Sequence, residues 1–238
     1  MSNALYVVAR ALLDEGRTLK ATACWSGGNH LHPHYRAALE EAFGCEVFER
    51  YATMEMGLIA TECPEGRSLH VPAEGIIAEI VRPDGSAVAP GESGEVLLTS
   101  LRNDATPLIR YRVGDRATAP AETRCSCGRG LPVFGRIAGR TPDFLRTATG
   151  GLVSPEQVVA AVRPGAGSVI DVQVIQARDR SITIQLVQRD EPGAEGDRAR
   201  VAAALGELVE PPARPEVVCV EQIPLTPGGK LRTIVGAD

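Results

Sequence analysis

The chain has 238 residues and a net charge of −5, and that acidic balance provides no field to hold a nucleic-acid backbone or an anionic membrane surface. Residues 1–10 lack the basic-then-apolar pattern of a leader, and nowhere do about 18 apolar residues run together, so secretion and membrane spanning are disfavoured. Hydrophobic residues at 44% and charged residues at 23% describe an ordinary globular chain, and six scattered cysteines fit a reduced, cytoplasmic compartment better than a disulfide scaffold.

Residues 4–16 carry apolar side chains at helical spacing and end in Gly16, which predicts a helix. The run 19–25 (LKATACW) reads as a short buried strand and 26–34 (SGGNHLHPH) as a turn-rich loop. An amphipathic helix over 35–44 closed by Gly44, and a strand over 45–52, follow. Helix, strand, helix, strand is the order of a parallel-sheet unit with crossover helices, here a partial one over 1–62 with an unfinished edge that should seek a partner. Across 63–141 the texture becomes β-rich: IIAEIV, GEVLLTSL and LIRYRVG alternate with PDGS and APGESG turns, as in an antiparallel sheet or a distorted barrel-like subdomain. The Gly/Arg/Thr-rich stretch 135–151 then separates a tail of helix, two strands, helix and strand. A boundary at 141/142 makes 142–238 a small α+β domain. The fold class expected is therefore α/β plus α+β.

Four motifs follow one another along the chain. Tyr51-Ala52-Thr53-Met54-Glu55-Met56-Gly57 ends the second strand. Tyr111-Arg112-Val113-Gly114-Asp115, Gly139-Arg140-Thr141-Pro142-Asp143 and Pro227-Gly228-Gly229-Lys230 come later. Each alone is also readable as a turn with solvated charges. Their co-occurrence in this order resembles the acyl-CoA synthetase, adenylation-domain and luciferase superfamily of adenylate-forming enzymes. The resemblance implies that Glu55 helps to hold Mg²⁺, a hard cation that shares oxygen ligands with substrate phosphates. It also implies that Tyr51 and the loop at Gly28 and Asn29 shape the nucleotide pocket, and that Asp115 accepts both ribose hydroxyls. Arg140 would contact nucleotide oxygens near a hinge, and Lys230 would swing in toward the carboxylate and phosphate oxygens of the forming acyl-adenylate. Against the family pattern, Ala52 replaces a glycine, Met54 a hydroxyl residue, and Pro142 the acidic or lysine residue of the hinge.

Cys63, His70, Cys125 and Cys127 form a Cys-x6-His and Cys-x-Cys set, the ligand types of a tetrahedral structural zinc; the alternative is ordinary turn residues and a free thiol pair. With these residues the resemblance narrows to the phenylacetate-CoA ligase branch. His30, His32 and His34 read as solvated loop residues, with a second metal site as the alternative, and Cys24, Cys45 and Cys219 as small core residues.

The resemblance covers nearly the whole chain but only about the latter half of such a ligase. No stretch matches the Ser/Thr/Gly-rich loop that wraps ATP phosphates. The expected function is therefore a component or truncated form of a ligase that activates a small carboxylic acid, aromatic or amino-acid-like, with ATP. The acyl group would pass to CoA, a carrier thiol or an amine, and a protein partner or second copy would complete the sheet and the phosphate loop. Two alternatives remain open at this point, a non-catalytic zinc-stabilised binding or scaffold subunit and an ATP-independent acyl-thioester enzyme.

Overall fold

A computed structural model describes residues 2–65, 67–210, 215–227 and 231–236. The chain divides into two compact units, Met1–Ala138 and Gly139–Asp238.

In the first unit, helix α1 (Ser2–Asp14) is followed by strand β1 (Cys24–Ser26), helix α2 (Pro33–Phe43) and strand β2 (Val47–Thr53). Pro33 opens α2 and Gly44 caps it, as their backbone preferences dictate. Because α2 intervenes, β1 and β2 pair parallel. Leu39, Ala42 and Val47 meet Ala9, Tyr35 and Phe43 in one apolar cluster. The strand at 19–25 is shorter than its sequence suggests: Lys20, Ala21 and Thr22 are exposed and only Ser26 of β1 is buried.

β2 turns directly into β3 (Gly57–Glu62), antiparallel to it. Thr53 faces Gly57 across the loop Met54-Glu55-Met56, and Gly57 has φ +69. This is a three-residue hairpin whose left-handed position calls for glycine. β4 (Leu69–His70), β5 (Ile76–Val81), β6 (Ser93–Ser100), β7 (Tyr111–Thr118), β8 (Val133–Phe134) and β9 (Arg136–Arg140) complete the β-rich region. They form no closed barrel, which corrects the barrel-like expectation. Two open sheets arise instead, β1-β2-β3-β4-β8 and β5-β6-β7-β9, because β4 and β8 pair back onto the first hairpin. Tyr51, Ile59, Val96, Leu98 and Phe134 share a second apolar cluster. Gly135 is obligatory here, since a Cβ would lie 1.9 Å from the Thr118 carbonyl oxygen.

The second unit holds a 3₁₀ turn (Thr141–Asp143), the short hairpin β10 (Leu145–Arg146) and β11 (Leu152–Val153), and helix α3 (Pro155–Val162). Ser154 and Gln157 close a capping box on α3. β12 (Val169–Gln176), β13 (Ile182–Gln188), helix α4 (Ala194–Val209), β14 (Glu216–Cys219) and β15 (Ile234–Val235) follow. The sheet order is β14-β13-β12-β15. Its core is aliphatic, with Val174, Ile184, Leu186, Val201, Leu205 and Ile234 fully buried. Cys219 is exposed on edge strand β14, not a core residue, because β14 has a neighbour on one side only. Cys24 and Cys45 do pack against the α1–α2 core.

Candidate functional site

In a parallel pair the loops leaving the carboxyl ends of the strands gather at one edge, where α/β proteins place ligands. The loop through Gly28 and Asn29 leaves β1 there, beside the end of β2 that carries Tyr51 and Glu55, since Ser26 pairs with Glu49. Gly28 takes φ +83, and Glu55 stands exposed in the hairpin loop. β7 brings Asp115 to the same strand end. Tyr51 Oη donates to Asp115 Oδ2 at 2.6 Å, with both residues buried, and the Tyr51 ring stacks on Phe134 at 6.0 Å between centroids. A neutral donor on a buried carboxylate both neutralises part of its desolvation cost and fixes its orientation. Tyr51→Phe should therefore lower the thermal midpoint by several degrees, since loss of a donor to a buried acceptor costs about 1–3 kcal/mol; an unchanged midpoint in calorimetry would contradict this.

The ligand atoms of Cys63, His70, Cys125 and Cys127 all lie within 4.8 Å of one another. Cys125 Sγ is 3.9 Å from Cys63 Sγ, and Cys127 Sγ is 3.5 Å from His70 Nε2. A tetrahedron with Zn–S of about 2.3 Å and Zn–N of about 2.0 Å has S–S and S–N edges of about 3.8 and 3.5 Å, close to these two separations, so the donor set suits that ion. His70 Nδ1 lies 3.3 Å from the Leu131 carbonyl oxygen, which can only accept, so Nδ1 carries the proton and Nε2 presents its lone pair to the cluster. The backbone N–H of Cys127 draws the Cys125 thiol down to about 7, toward the thiolate that a metal requires. Four protein donors leave no open position for a reacting water, so the set suits a structural ion.

A third group was not singled out by the sequence. Arg36 of α2 forks onto both carboxylate oxygens of Glu62 at 3.0 and 2.8 Å and also bonds the Val47 carbonyl. Glu62 accepts the Glu49 backbone N–H at 2.6 Å. Glu49 alternates with Val47 and Tyr51 on the inward face of β2, and a charged residue in that phase was the available signal. Burial foremost, then the neighbouring Glu62, pushes the Glu49 carboxyl up to about 7, against the pull of Arg36 and the Leu31 N–H. The folded chain thus binds a proton that the unfolded chain releases from about 4.5 upward. Stability should fall as pH rises from about 4.5 to 7 and level off above. Glu49→Gln should flatten this slope and stabilise the chain at pH 8 by about 1–2 kcal/mol, readable as a pH series of thermal midpoints; superimposable profiles would contradict it.

Of the three histidines expected to be solvated, His30 and His34 are half-buried and His32 is not solvated. His32 is buried, and its ring meets those of His30, His34 and Tyr35 at 4.7, 5.5 and 5.3 Å. Pro33 starts α2 at once and folds the loop back over the Tyr6–Tyr35 stack.

No protein-family model matches the chain. It is 27% identical over 230 residues to Protein CapK of Staphylococcus aureus, covering 96% of this chain and 50% of that protein. To phenylacetate-coenzyme A ligase of Thermus thermophilus it is 28% identical over 226 residues, 84% of this chain and 50% of that one. Among solved structures, 2-hydroxyisobutyryl-CoA ligase in the postadenylation state matches with a TM-score of 0.80 at 20% identity, over 99% of this chain and 53% of that chain. An anthranilate CoA ligase in complex with anthranoyl-AMP matches at 0.70 and 23% identity, over 95% of this chain and 45% of that chain. The chain is thus similar in sequence to CapK and to a phenylacetate-coenzyme A ligase, and shares the fold of these CoA ligase structures. It spans about half the length of the curated relatives it matches. Of the residues that the superfamily resemblance singles out, Gly28, Asn29, Tyr51, Glu55 and Asp115 lie in the first unit. Arg140 ends β9 and belongs to the second unit. Lys230 lies outside the described residues. Among the described residues no helix is long and apolar enough to cross a membrane.

Proposed function

We propose that this chain supplies the ribose-, magnesium- and lysine-bearing part of an ATP-dependent acid-activating ligase, acting in the cytoplasm on a small aromatic or amino-acid-like carboxylic acid. The observation that carries the reading is the buried Tyr51–Asp115 hydrogen bond, which joins two residues 64 apart in sequence beside the Gly28–Asn29 loop and the Glu55 hairpin. Asp115 would accept the ribose hydroxyls, and Tyr51 would hold its carboxylate for them. Glu55, a single exposed carboxylate, suits Mg²⁺, which keeps waters and nucleotide oxygens as its other ligands. Arg140 would bind nucleotide oxygens, and residues 142–238 would act as the mobile lid that carries Lys230. Zinc, held by Cys63, His70, Cys125 and Cys127, would fasten the β-rich region. CoA or a carrier thiol would take the acyl group, in line with the CoA ligases among the relatives. The phosphate-wrapping loop would come from a further polypeptide segment, on the same chain or on a partner.

ATP–pyrophosphate exchange over a panel of carboxylic acids, with the chain alone and with a polypeptide matching the other half of the relatives, is the test. Acid-dependent exchange in at least one combination is expected; silence in all of them from a folded, zinc-loaded chain would reject the reading.

Met54 favours a second reading. Its side chain is 99% exposed in the hairpin loop and offers no hydroxyl to a phosphate, as suits a non-catalytic binding subunit. Stoichiometric capture of a protein partner without nucleotide binding would select that reading.

A further inference from the structure

α1 stands to β1 as α2 stands to β2, each helix running into one strand of the parallel pair. Both helices lie on the same face of that pair: Ala9, Leu12 and Leu13 of α1 share one apolar cluster with Tyr35 and Leu39 of α2 and with Cys24 and Val47 of the strands. Crossovers in a parallel sheet are right-handed, so helices on one face step across the sheet in a single direction. From β1 through α2 the step leads to β2. A strand that crosses over through α1 therefore belongs on the other side of β1.

That side is open. β1 stands at the end of the order β1-β2-β3-β4-β8. The Cys24 N–H donates to the Glu46 carbonyl at 3.0 Å, and successive residues of a strand present their N–H and C=O groups to opposite sides. The N–H and C=O of Trp25 thus point out of the sheet edge. The Trp25 ring stands on the face opposite Cys24. It is 50% exposed and meets Phe48, its partner in register, at 5.3 Å between ring centroids. Parallel strands are as a rule covered on both faces, whereas the half-exposed Trp25 leaves the second face bare at β1.

We propose that β1 seats a parallel strand from the half of the curated relatives that this chain does not cover, and that apolar side chains of that half close over Trp25 and Phe48. This rests on the reading of the chain as part of a ligase and names where the other part joins it. Half of each relative's length lies beyond the match, ample for a strand and its cover. A second copy suits the seat less, because a two-fold axis that pairs identical edges by hydrogen bonds sets them antiparallel, and α1 is placed for a parallel neighbour.

Trp25 is the only tryptophan of the chain, so isotopically labelled tryptophan gives a single backbone amide resonance, at the proposed seat. The full labelled chain is mixed with an excess of unlabelled polypeptide, the half of the Thermus thermophilus ligase that this chain does not match. Hydrogen exchange of the Trp25 amide should slow by about tenfold or more as the amide enters a ladder, and the indole resonance should shift. Trp25→Glu should weaken association by about tenfold or more, as for a buried aromatic anchor at an interface, while the isolated variant keeps a thermal midpoint near that of the wild type. Leu152→Glu, at a comparably exposed apolar position of the second unit (41%), should change neither. Unaltered exchange and shift at Trp25 in the mixture would overturn the proposal, as would wild-type association of Trp25→Glu. A slow Trp25 amide in the chain alone, with a dimer in sedimentation, would overturn it by giving the edge to a second copy. Should Trp25→Glu not fold, Trp25→Ala is judged by the same outcomes. None of these readouts needs ATP or an acid. A protected Trp25 without pyrophosphate exchange would reject the functional reading and leave the seat standing, and exchange with an unprotected Trp25 would do the reverse.

Discussion

Cys125→Ser is expected to strip zinc from the chain and lower its thermal midpoint by about 10 °C or more. The pairing of β4 with β8 involves only two residues on each side, and the segment 119–132 that carries Cys125 and Cys127 contains no helix or strand. So little backbone pairing leaves the four ligands as a major tie between 63–70 and 125–132, beside the Leu69–Phe134 contact. Metal binding energy is folding energy in such a case, and a loss of several kcal/mol translates to a fall of this order for a chain of this size. Metal analysis of the purified chain should find one zinc per chain in the wild type and a small fraction in the variant. A chelator should reproduce the loss in the wild type and leave the variant unaffected. A wild-type midpoint in Cys125→Ser, or no metal in the native chain, would reduce the cluster to a set of thiols in a turn.

Lys230→Ala and Asp115→Ala should separate two kinds of contribution to exchange. Lysine is asked to meet charge that develops only as the acyl-adenylate forms. Its removal should lower turnover by about 10²–10³-fold with ATP affinity nearly unchanged, the range seen when one such donor is deleted. Asp115 is asked to hold the ribose in ground state and transition state alike, so its removal should raise KM for ATP by about tenfold or more and lower turnover less. Steady-state exchange kinetics distinguish the two, and equal effects of both substitutions on KM and turnover would deny this division of labour.

Sequence legibility followed the range of the interactions. α2 announced itself through Pro33, its apolar spacing and Gly44, all local signals, and β6 and β7 through runs bounded by turn residues. The barrel-like expectation failed because it required knowing that β4 and β8 pair with the first hairpin. Two-residue strands about 60 residues apart have no period to read. The Cys/His cluster was legible because its residue types are rare and chemically specific. The juxtaposition of Tyr51 and Asp115 could be inferred only from motif order, since nothing local in YRVGD says what its aspartate meets. His32 was misjudged as solvated because a His-x-His-x-His run in a loop looks polar, whereas its ring packs on Tyr35 and that of His34 on Tyr6 and Tyr35.

The central claim is that Asp115 reads the ribose of a bound nucleotide. Isothermal titration of ATP·Mg²⁺ and of its 2′,3′-dideoxy analogue into the wild type and into Asp115→Ala forms a double-mutant cycle around that contact. Removal of the hydroxyls should weaken binding to the wild type by about tenfold or more, as expected for hydrogen bonds to a charged group, and leave binding to Asp115→Ala unchanged. Equal weakening in the two proteins would mean that the hydroxyls are read elsewhere or not at all, and would contradict the account.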